Sequence, residues 1–197
     1  MVSRVGIFAF LEDGRMTVLK VIEWPAKILE TPANEVKNFD ESLRRIVADM
    51  HDTMRDSAGI GLAANQVGDL RRIVTIEIPL VEKDDGRTEE AKWWHNKKFT
   101  FVNPVVVKKE GTARWQEGCL SFPDIFDFVE RASEVWVKAF DENGKEFEVH
   151  ADGLFSICLQ HEIDHVDGIV FFKRMSRLKA DRITAKMLKR GNVNVEV

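Results

Sequence analysis

A pair of histidines separated by three residues is the feature of this sequence that most clearly indicates chemistry. His161 and His165 flank Glu162 in the run Gln-His-Glu-Ile-Asp-His. On a helix, residues four apart lie on one face, so both imidazoles can bind one cation while the glutamate reaches a metal-bound water. The spacing predicts metal-assisted hydrolysis of an amide-like carbonyl, although an ordinary amphipathic helix can also carry this pattern.

Two histidines leave such a site short of a third protein ligand. In one class of zinc peptidase a further histidine completes the site, but Phe171 occupies that position here. Cys119 is the better candidate, because a thiolate with two imidazoles suits zinc or iron(II). The alternatives for this cysteine are a buried structural thiol or a disulfide with Cys158, and we expect Cys158 to line the pocket wall instead.

The segment from Gly59 to Gln66 is rich in glycine and alanine. Part of it matches a dinucleotide-binding fingerprint, but a helix rather than a strand precedes it, which disfavours nucleotide binding. We interpret it as a tight segment that lets the backbone approach a ligand. The Gln66 amide would then be a hydrogen-bond donor for a developing oxyanion.

Three helices and a set of short strands are predicted around these motifs. The helices cover 40–56, 153–166 and 176–190, with Gly191 just past the end of the third. Strands are predicted over 17–22, 72–78, 99–102, 105–109, 112–116, 134–140 and 145–150. We interpret Asn103-Pro104 as a turn and 81–98 as a charged surface loop. Helices set apart from antiparallel strands indicate the α+β class.

Composition excludes several classes of protein. Of 197 residues, 44% are hydrophobic and 31% charged, which is typical of a globular chain and not of a disordered one. Two cysteines are too few for a secreted disulfide framework, so we expect a cytoplasmic protein. The net charge of −4 and the short apolar runs give no sign of DNA or a membrane as partner. We expect one catalytic domain over 16–197, with residues 1–15 as an N-terminal extension.

The three motifs, in this order and at this spacing, resemble the signature motifs of the peptide deformylase family. They read Gly-Ile-Gly-Leu-Ala-Ala-Asn-Gln, Glu-Gly-Cys-Leu-Ser and Gln-His-Glu-Ile-Asp-His. The similarity covers nearly the whole chain from Met16 onward. It implies removal of the formyl group from the N-terminal formylmethionine of new proteins, and a central metal-binding helix wrapped by antiparallel sheets.

The resemblance also implies a role for each motif residue. One divalent metal ion, with water in its fourth position, would be bound by Cys119, His161 and His165. We expect Fe²⁺ as the native metal, with Zn²⁺, Ni²⁺ or Co²⁺ as alternatives that the same ligands accept. Glu162 would act as general base and then general acid. Gln66 and the backbone N–H of Leu120 would stabilise the oxyanion.

Substrate-binding positions follow from the same resemblance. They are Ile60, Gly61, Glu117, Gly118, Leu154, Ile157 and Cys158. The glycines would lie beside an extended formylmethionyl peptide, and the apolar residues would form the methionine pocket unless they serve only as core packing. Two departures from the family pattern, Pro123-Asp124 and Leu29-Glu30, affect the pocket rim rather than the chemistry.

The C-terminal stretch from Lys173 to Arg190 is strongly basic. It contains eight Lys or Arg residues and one acid, so it carries +7 while the rest of the chain carries −11. By resemblance, such a helix would contact the ribosome near the nascent-chain exit. The alternative is a solvated amphipathic helix whose cations complement the helix dipole.

Two other functions stay open on the sequence alone. The HExxH pattern also indicates a zinc endopeptidase, which Phe171 disfavours. A metal-stabilised binding module without catalysis is the second, but Glu162 and Gln66 argue against it. A purely structural metal site would be closed by a fourth protein ligand.

Overall fold

The computed structural model describes residues 17–79 and 93–193. Within them lie three α-helices: α1 (Glu41–Asp56), α2 (Gly153–Val166) and α3 (Arg177–Val193). Seven strands are described: β1 (Gly61–Ala63), β2 (Ile73–Glu77), β3 (Lys98–Glu110), β4 (Ala113–Cys119), β5 (Phe122–Arg131), β6 (Glu134–Phe140) and β7 (Glu146–Asp152). The expected extension over 1–15 and the predicted loop up to residue 92 lie outside the described residues.

The strands form two antiparallel sheets, which confirms the α+β class. The larger sheet has the order β1-β2-β3-β6-β7, and β4 and β5 pair with each other as a long hairpin. Helix α1 begins after Asp40, whose carboxylate accepts a hydrogen bond from the Leu43 N–H at 3.1 Å. Its apolar face packs with Leu62 and Ile73 near the start of the larger sheet.

Helix α2 lies at the centre of the fold. Twelve of its 14 residues are buried, and Phe155, Leu159 and Ile163 pack against Phe101 and Val137 of the larger sheet. A helix covered on nearly all sides does not show a one-sided apolar stripe. Burial of α2 confirms a central helix wrapped by antiparallel sheets.

Helix α3 packs against the β4–β5 hairpin. Ile183 and Met187 are buried in a cluster with Phe122 and Phe171. Among the described residues, no helix has both the length and the apolar character that a membrane crossing requires.

Several local predictions were wrong. Asn103-Pro104 is not a turn, because β3 is continuous and its register with β6 shifts there. Asn103 has φ of 53°. Its side-chain amide accepts a hydrogen bond from the Val36 N–H at 2.8 Å and donates one to the Val36 C=O at 2.9 Å. These two bonds hold the β-bulge at the register shift. Residues 17–22 form no strand, and α3 continues through Gly191. Strand β5 was missed.

Candidate metal centre

Cys119, His161 and His165 lie together where the end of β4 meets α2. Their ligand atoms are all within 4.8 Å of one another, and Cys119 Sγ is 3.2 Å from His165 Nε2. Both histidines are buried. One thiolate and two imidazoles that converge in this way fit a divalent metal ion such as Zn²⁺ or Fe²⁺.

Glu117 holds one of the two imidazoles in place. His161 Nδ1 donates a hydrogen bond to its carboxylate at 2.7 Å, so Nε2 is the nitrogen left for a metal. Arg131 donates to the same carboxylate at 2.5 and 3.0 Å. Burial alone would raise the pKa of Glu117, but these hydrogen bonds outweigh it and lower the pKa, so the group stays ionised.

A second carboxylate continues this network to the surface. Asp164 accepts from Arg131 at 2.7 Å and from Arg174 at 2.5 and 3.0 Å. Asp164 and Arg131 are buried, whereas 42% of the Arg174 side chain is exposed. The two arginines thus balance the two carboxylates behind the metal ligands.

The carboxylate of Glu162 faces the same centre from the next position on α2. Burial raises the pKa of Glu162 to about 7, and its Oε2 atom has no hydrogen-bond partner among the described residues. Gly61 lies against it, since a Cβ at that position would be 2.6 Å from Glu162 Oε1. A buried carboxyl group with this pKa can both accept and release a proton near neutral pH.

Gln66 is fixed by its own segment. The Ala63 N–H donates to Gln66 Oε1 at 2.8 Å, which turns the amide nitrogen Nε2 towards the centre. This nitrogen lies 3.2 Å from Ser121 Oγ and 3.6 Å from Cys119 Sγ. The side-chain amide is therefore aimed beside the metal ligands, as an oxyanion donor requires.

A cavity of about 600 Å³ opens onto the centre. The predicted residues that line it are Ile60, Gly61, Gln66, Gly118, Cys119, Leu120, His161 and Glu162. Four predicted substrate-binding residues, Glu117, Leu154, Ile157 and Cys158, are not among the lining residues.

Those four positions lie behind the cavity wall or in the core. The Glu117 carboxylate is occupied by its hydrogen bonds with His161 and Arg131. Ile157 is 2% exposed, and Leu154 packs against the central core. Cys158 donates a weak hydrogen bond to the Ile60 C=O at 3.7 Å. Burial raises the pKa of the Cys158 thiol, so this side chain is neutral, and it forms no disulfide. It lies behind Gly61 and does not line the cavity, contrary to the expectation for this cysteine.

Phe171 cannot act as a metal ligand because its side chain has no donor atom, and it serves instead as packing. The ring is 1% exposed, and its centroid lies 5.9 Å from that of His161. It packs the metal side of α2 without contributing a donor atom.

Several residues of the site were missed from the sequence. The roles of Asp164 and Arg174 depend on contacts between separate elements, and Asn65 donates to the His165 C=O at 2.6 Å from 100 residues away. The available signal was Asp164, the second of two acids between the histidines, since a buried acid needs a partner.

Comparison with known proteins places this site in one family. Residues 18–181 match the family model described as polypeptide deformylase. A peptide deformylase of Neisseria gonorrhoeae is 44% identical over 175 residues, which is 89% of this chain and 97% of that protein. One of Chromobacterium violaceum is 43% identical, over 91% of this chain and 100% of that protein.

Solved structures agree with the sequence comparison. A peptide deformylase from Ehrlichia chaffeensis superposes with a TM-score of 0.83 at 36% identity, covering 91% of this chain and 99% of that one. A structure from the same organism in complex with actinonin gives a TM-score of 0.79 at 37% identity, covering 89% and 98%. On these matches and on its own site geometry, this chain belongs to the polypeptide deformylase family.

Proposed function

We propose that this chain hydrolyses the formyl group of N-formylmethionyl peptides and nascent chains with one divalent metal ion. The observation that carries the proposal is the convergence of three ligand atoms beside a cavity that Glu162 and Gln66 line. The family match supports the choice of substrate. Because α2 lies at the centre of the fold, the hydrolytic groups that it carries are protected from bulk water.

Each residue has a task that its position supports. The metal, held by Cys119, His161 and His165, would supply a Lewis acid that activates water and polarises the formyl oxygen. Glu162 takes up a proton at its carboxylate and returns it to the leaving amine. Gln66 Nε2 and the Leu120 N–H donate hydrogen bonds where negative charge develops, so they act mainly on the transition state.

We propose that the peptide lies extended along the cavity. Ile60, Gly61 and Gly118 line the wall, where their backbone groups would pair with those of the peptide. Cys158, Leu154 and Ile157 would support the methionine side chain from behind this wall. Glu117 contributes through His161, although the family resemblance placed it among the substrate-binding residues.

Fe²⁺ is the metal that we propose for the native enzyme, with Zn²⁺, Ni²⁺ or Co²⁺ as substitutes. A thiolate with two imidazoles accepts each of these ions, so supply and geometry decide between them. A ferrous ion on a thiolate requires reducing surroundings, which supports a cytoplasmic location. We propose a single catalytic domain over 16–197, and the family match over 18–181 supports this.

Ribosome contact through the basic segment 173–190 is a further part of this proposal. Three of its cations bind the β4–β5 hairpin: Lys179 pairs with Asp127, Lys186 donates to the Asp124 C=O, and Arg190 pairs with Asp124 at 2.7 Å. Arg182 and Lys189 are exposed, so they are the better candidates for contact with RNA. Pelleting with ribosomes across a salt series tests this, and Arg182→Gln with Lys189→Gln should reduce the bound fraction. Binding that ignores both salt and these changes would contradict it.

Formate release is the direct test of the proposed reaction. The metal-loaded protein should release formate from formyl-Met-Ala-Ser and leave an unformylated peptide intact. Glu162→Gln should retain the metal but lose about 10²-fold or more in kcat, because the proton acceptor is gone. Internal cleavage of the unformylated peptide would indicate an endopeptidase instead, and retained metal without turnover would indicate a binding module.

A further inference from the structure

An exposed aromatic strip continues outward from the cavity along the β4–β5 hairpin. Register pairs place Gly118 opposite Phe126 and Gln116 opposite Phe128. Residues that face each other across an antiparallel pair project to the same side, so Phe126 and Phe128 share the outer face. Phe126 is 67% and Phe128 46% exposed, whereas Val129 on the opposite face is 1% exposed.

The inner end of this strip belongs to the cavity itself. Phe126 and Gly118 both line it, and the Phe126 ring covers the glycine, since a Cβ at 118 would lie 2.5 Å from a ring atom. Phe128 lies two residues further along β5, a step of about 7 Å in a strand. It is outside the cavity lining but on the same face.

The strip is held in place by a charged neighbour. The Arg114 guanidinium lies 4.8 Å from the Phe128 ring centroid, which fixes the ring on the strip. Exposed aromatic side chains next to a binding cavity commonly mark an extended contact surface.

We propose that Phe126 and Phe128 bind the part of the nascent polypeptide that has left the cavity, and that they favour apolar or aromatic side chains there. The inference rests on the proposed deformylase function and adds a substrate preference downstream of the residues held in the cavity. The occupant is the extended chain of the substrate itself, whose alternate side chains would face the strip.

Three formylated peptides test the preference. Formyl-Met-Ala-Ser is the reference, and it is extended either by Phe-Phe or by Gln-Gln. Using two identical residues ensures that one of them faces the strip whichever way the chain alternates. The Phe-Phe peptide should have a KM about twofold to tenfold below that of the Gln-Gln peptide, with kcat unchanged.

Phe128→Ser is the informative variant because Phe128 lies outside the cavity. It should remove the preference for Phe-Phe and leave the kinetics of the reference tripeptide unchanged. Trp115→Ser is the matched control: Trp115 is 41% exposed on the same hairpin but pairs with Val129 on the opposite face, so the preference should persist. Thermal denaturation checks that both variants fold.

The outcomes separate this inference from the proposed function. Equal KM values for the two extended peptides in the unmodified enzyme would overturn the inference. So would a Phe128→Ser variant whose KM rises as much for the tripeptide as for the Phe-Phe peptide. Absence of formate from all three peptides would instead overturn the proposed function.

Discussion

His161 Nδ1 lies 2.7 Å from Glu117 Oε2, and Arg131 donates to both oxygens of the same carboxylate. A histidine ligand oriented in this way offers its second nitrogen to the metal in a fixed direction. Glu117 belongs to β4 and His161 to α2, so this contact also joins the hairpin to the central helix. The metal centre therefore depends on a residue that would not itself touch the metal.

Glu117→Gln should lower metal affinity by about tenfold to a hundredfold, because the neutral amide holds the imidazole less firmly and leaves Arg131 without its ion pair. Competition with a fluorescent zinc chelator measures the change. Glu130→Gln, an exposed position on β5, is the control and should bind metal normally. Equal affinities for the two variants would show that Glu117 does not support the ligand.

Arg174→Met should reduce the free energy of unfolding by about 1 kcal/mol, because buried Asp164 loses hydrogen bonds from a partner that is half in solvent. Urea unfolding measures this. Arg177→Met is the control, since 94% of that side chain is exposed and its replacement should change stability by less than about 0.5 kcal/mol. Similar losses in the two variants would contradict a specific role for Arg174.

Stability should depend on pH through His51, a 6% exposed histidine whose Nε2 lies 3.3 Å from Thr100 Oγ1. Burial, with Lys98 and Arg55 nearby, lowers the pKa of His51 to about 4 against 6.5 for a free histidine, although Asp52 opposes this. Below pH 6.5 the unfolded chain binds a proton that the folded chain does not. Stability should therefore fall by up to about 3 kcal/mol as the pH drops from 6.5 to 4.

Chemical unfolding at a series of pH values, with the metal concentration held constant, measures this fall. His51→Gln should show a smaller fall in stability over the same range than the unmodified chain. The control is His150→Gln, because the His150 side chain is 47% exposed, and this variant should show the same fall as the unmodified chain. Parallel curves for the unmodified chain and His51→Gln would rule out His51 as the source.

Gly61→Ala should reduce kcat/KM by about a hundredfold while metal stays bound, because misplacing a catalytic group by about 1 Å has effects of this size. The added Cβ would lie 2.6 Å from Glu162 Oε1 and 2.7 Å from Cys158 Sγ. Formate release and metal analysis of the same sample measure the two effects. Adding Cys158→Ala should restore only part of the activity, since the clash with Glu162 remains. Full activity of Gly61→Ala would contradict this packing.

The metal ligands could be predicted because their signals are local or chemically distinctive. Two histidines four residues apart specify one helical face, and the only two cysteines leave few choices for a thiolate. The helices were predictable for a similar reason. Helix α1 has apolar residues at helical spacing and the cap Asp40, and α2 lies between Asp152 and Gly168, although the Asp152 side chain makes no cap hydrogen bond. The bounds predicted for α2 are those observed.

The remaining features depend on contacts distant in sequence. Strand β5 was missed because its start is irregular: Pro123 and Asp124 lie where the register with β4 shifts, and Asp124 has φ of 60°. Asn103 is also in the left-handed region, and its amide contacts with Val36 replace the turn that the sequence suggested. Asp164 and Arg174 meet only after α2 and the following segment have packed.

The enclosure of α2 by the sheets determines how the protein can lose its activity. Backbone amides of a helix with 12 buried residues out of 14 exchange with solvent mainly when the whole fold opens. Local fluctuations of the hairpin or of α3 leave His161, Glu162 and His165 at their mutual spacing. His161, Glu162 and His165 should therefore separate only on global unfolding, whereas opening of the hairpin alone would withdraw Cys119 and Leu120 from them.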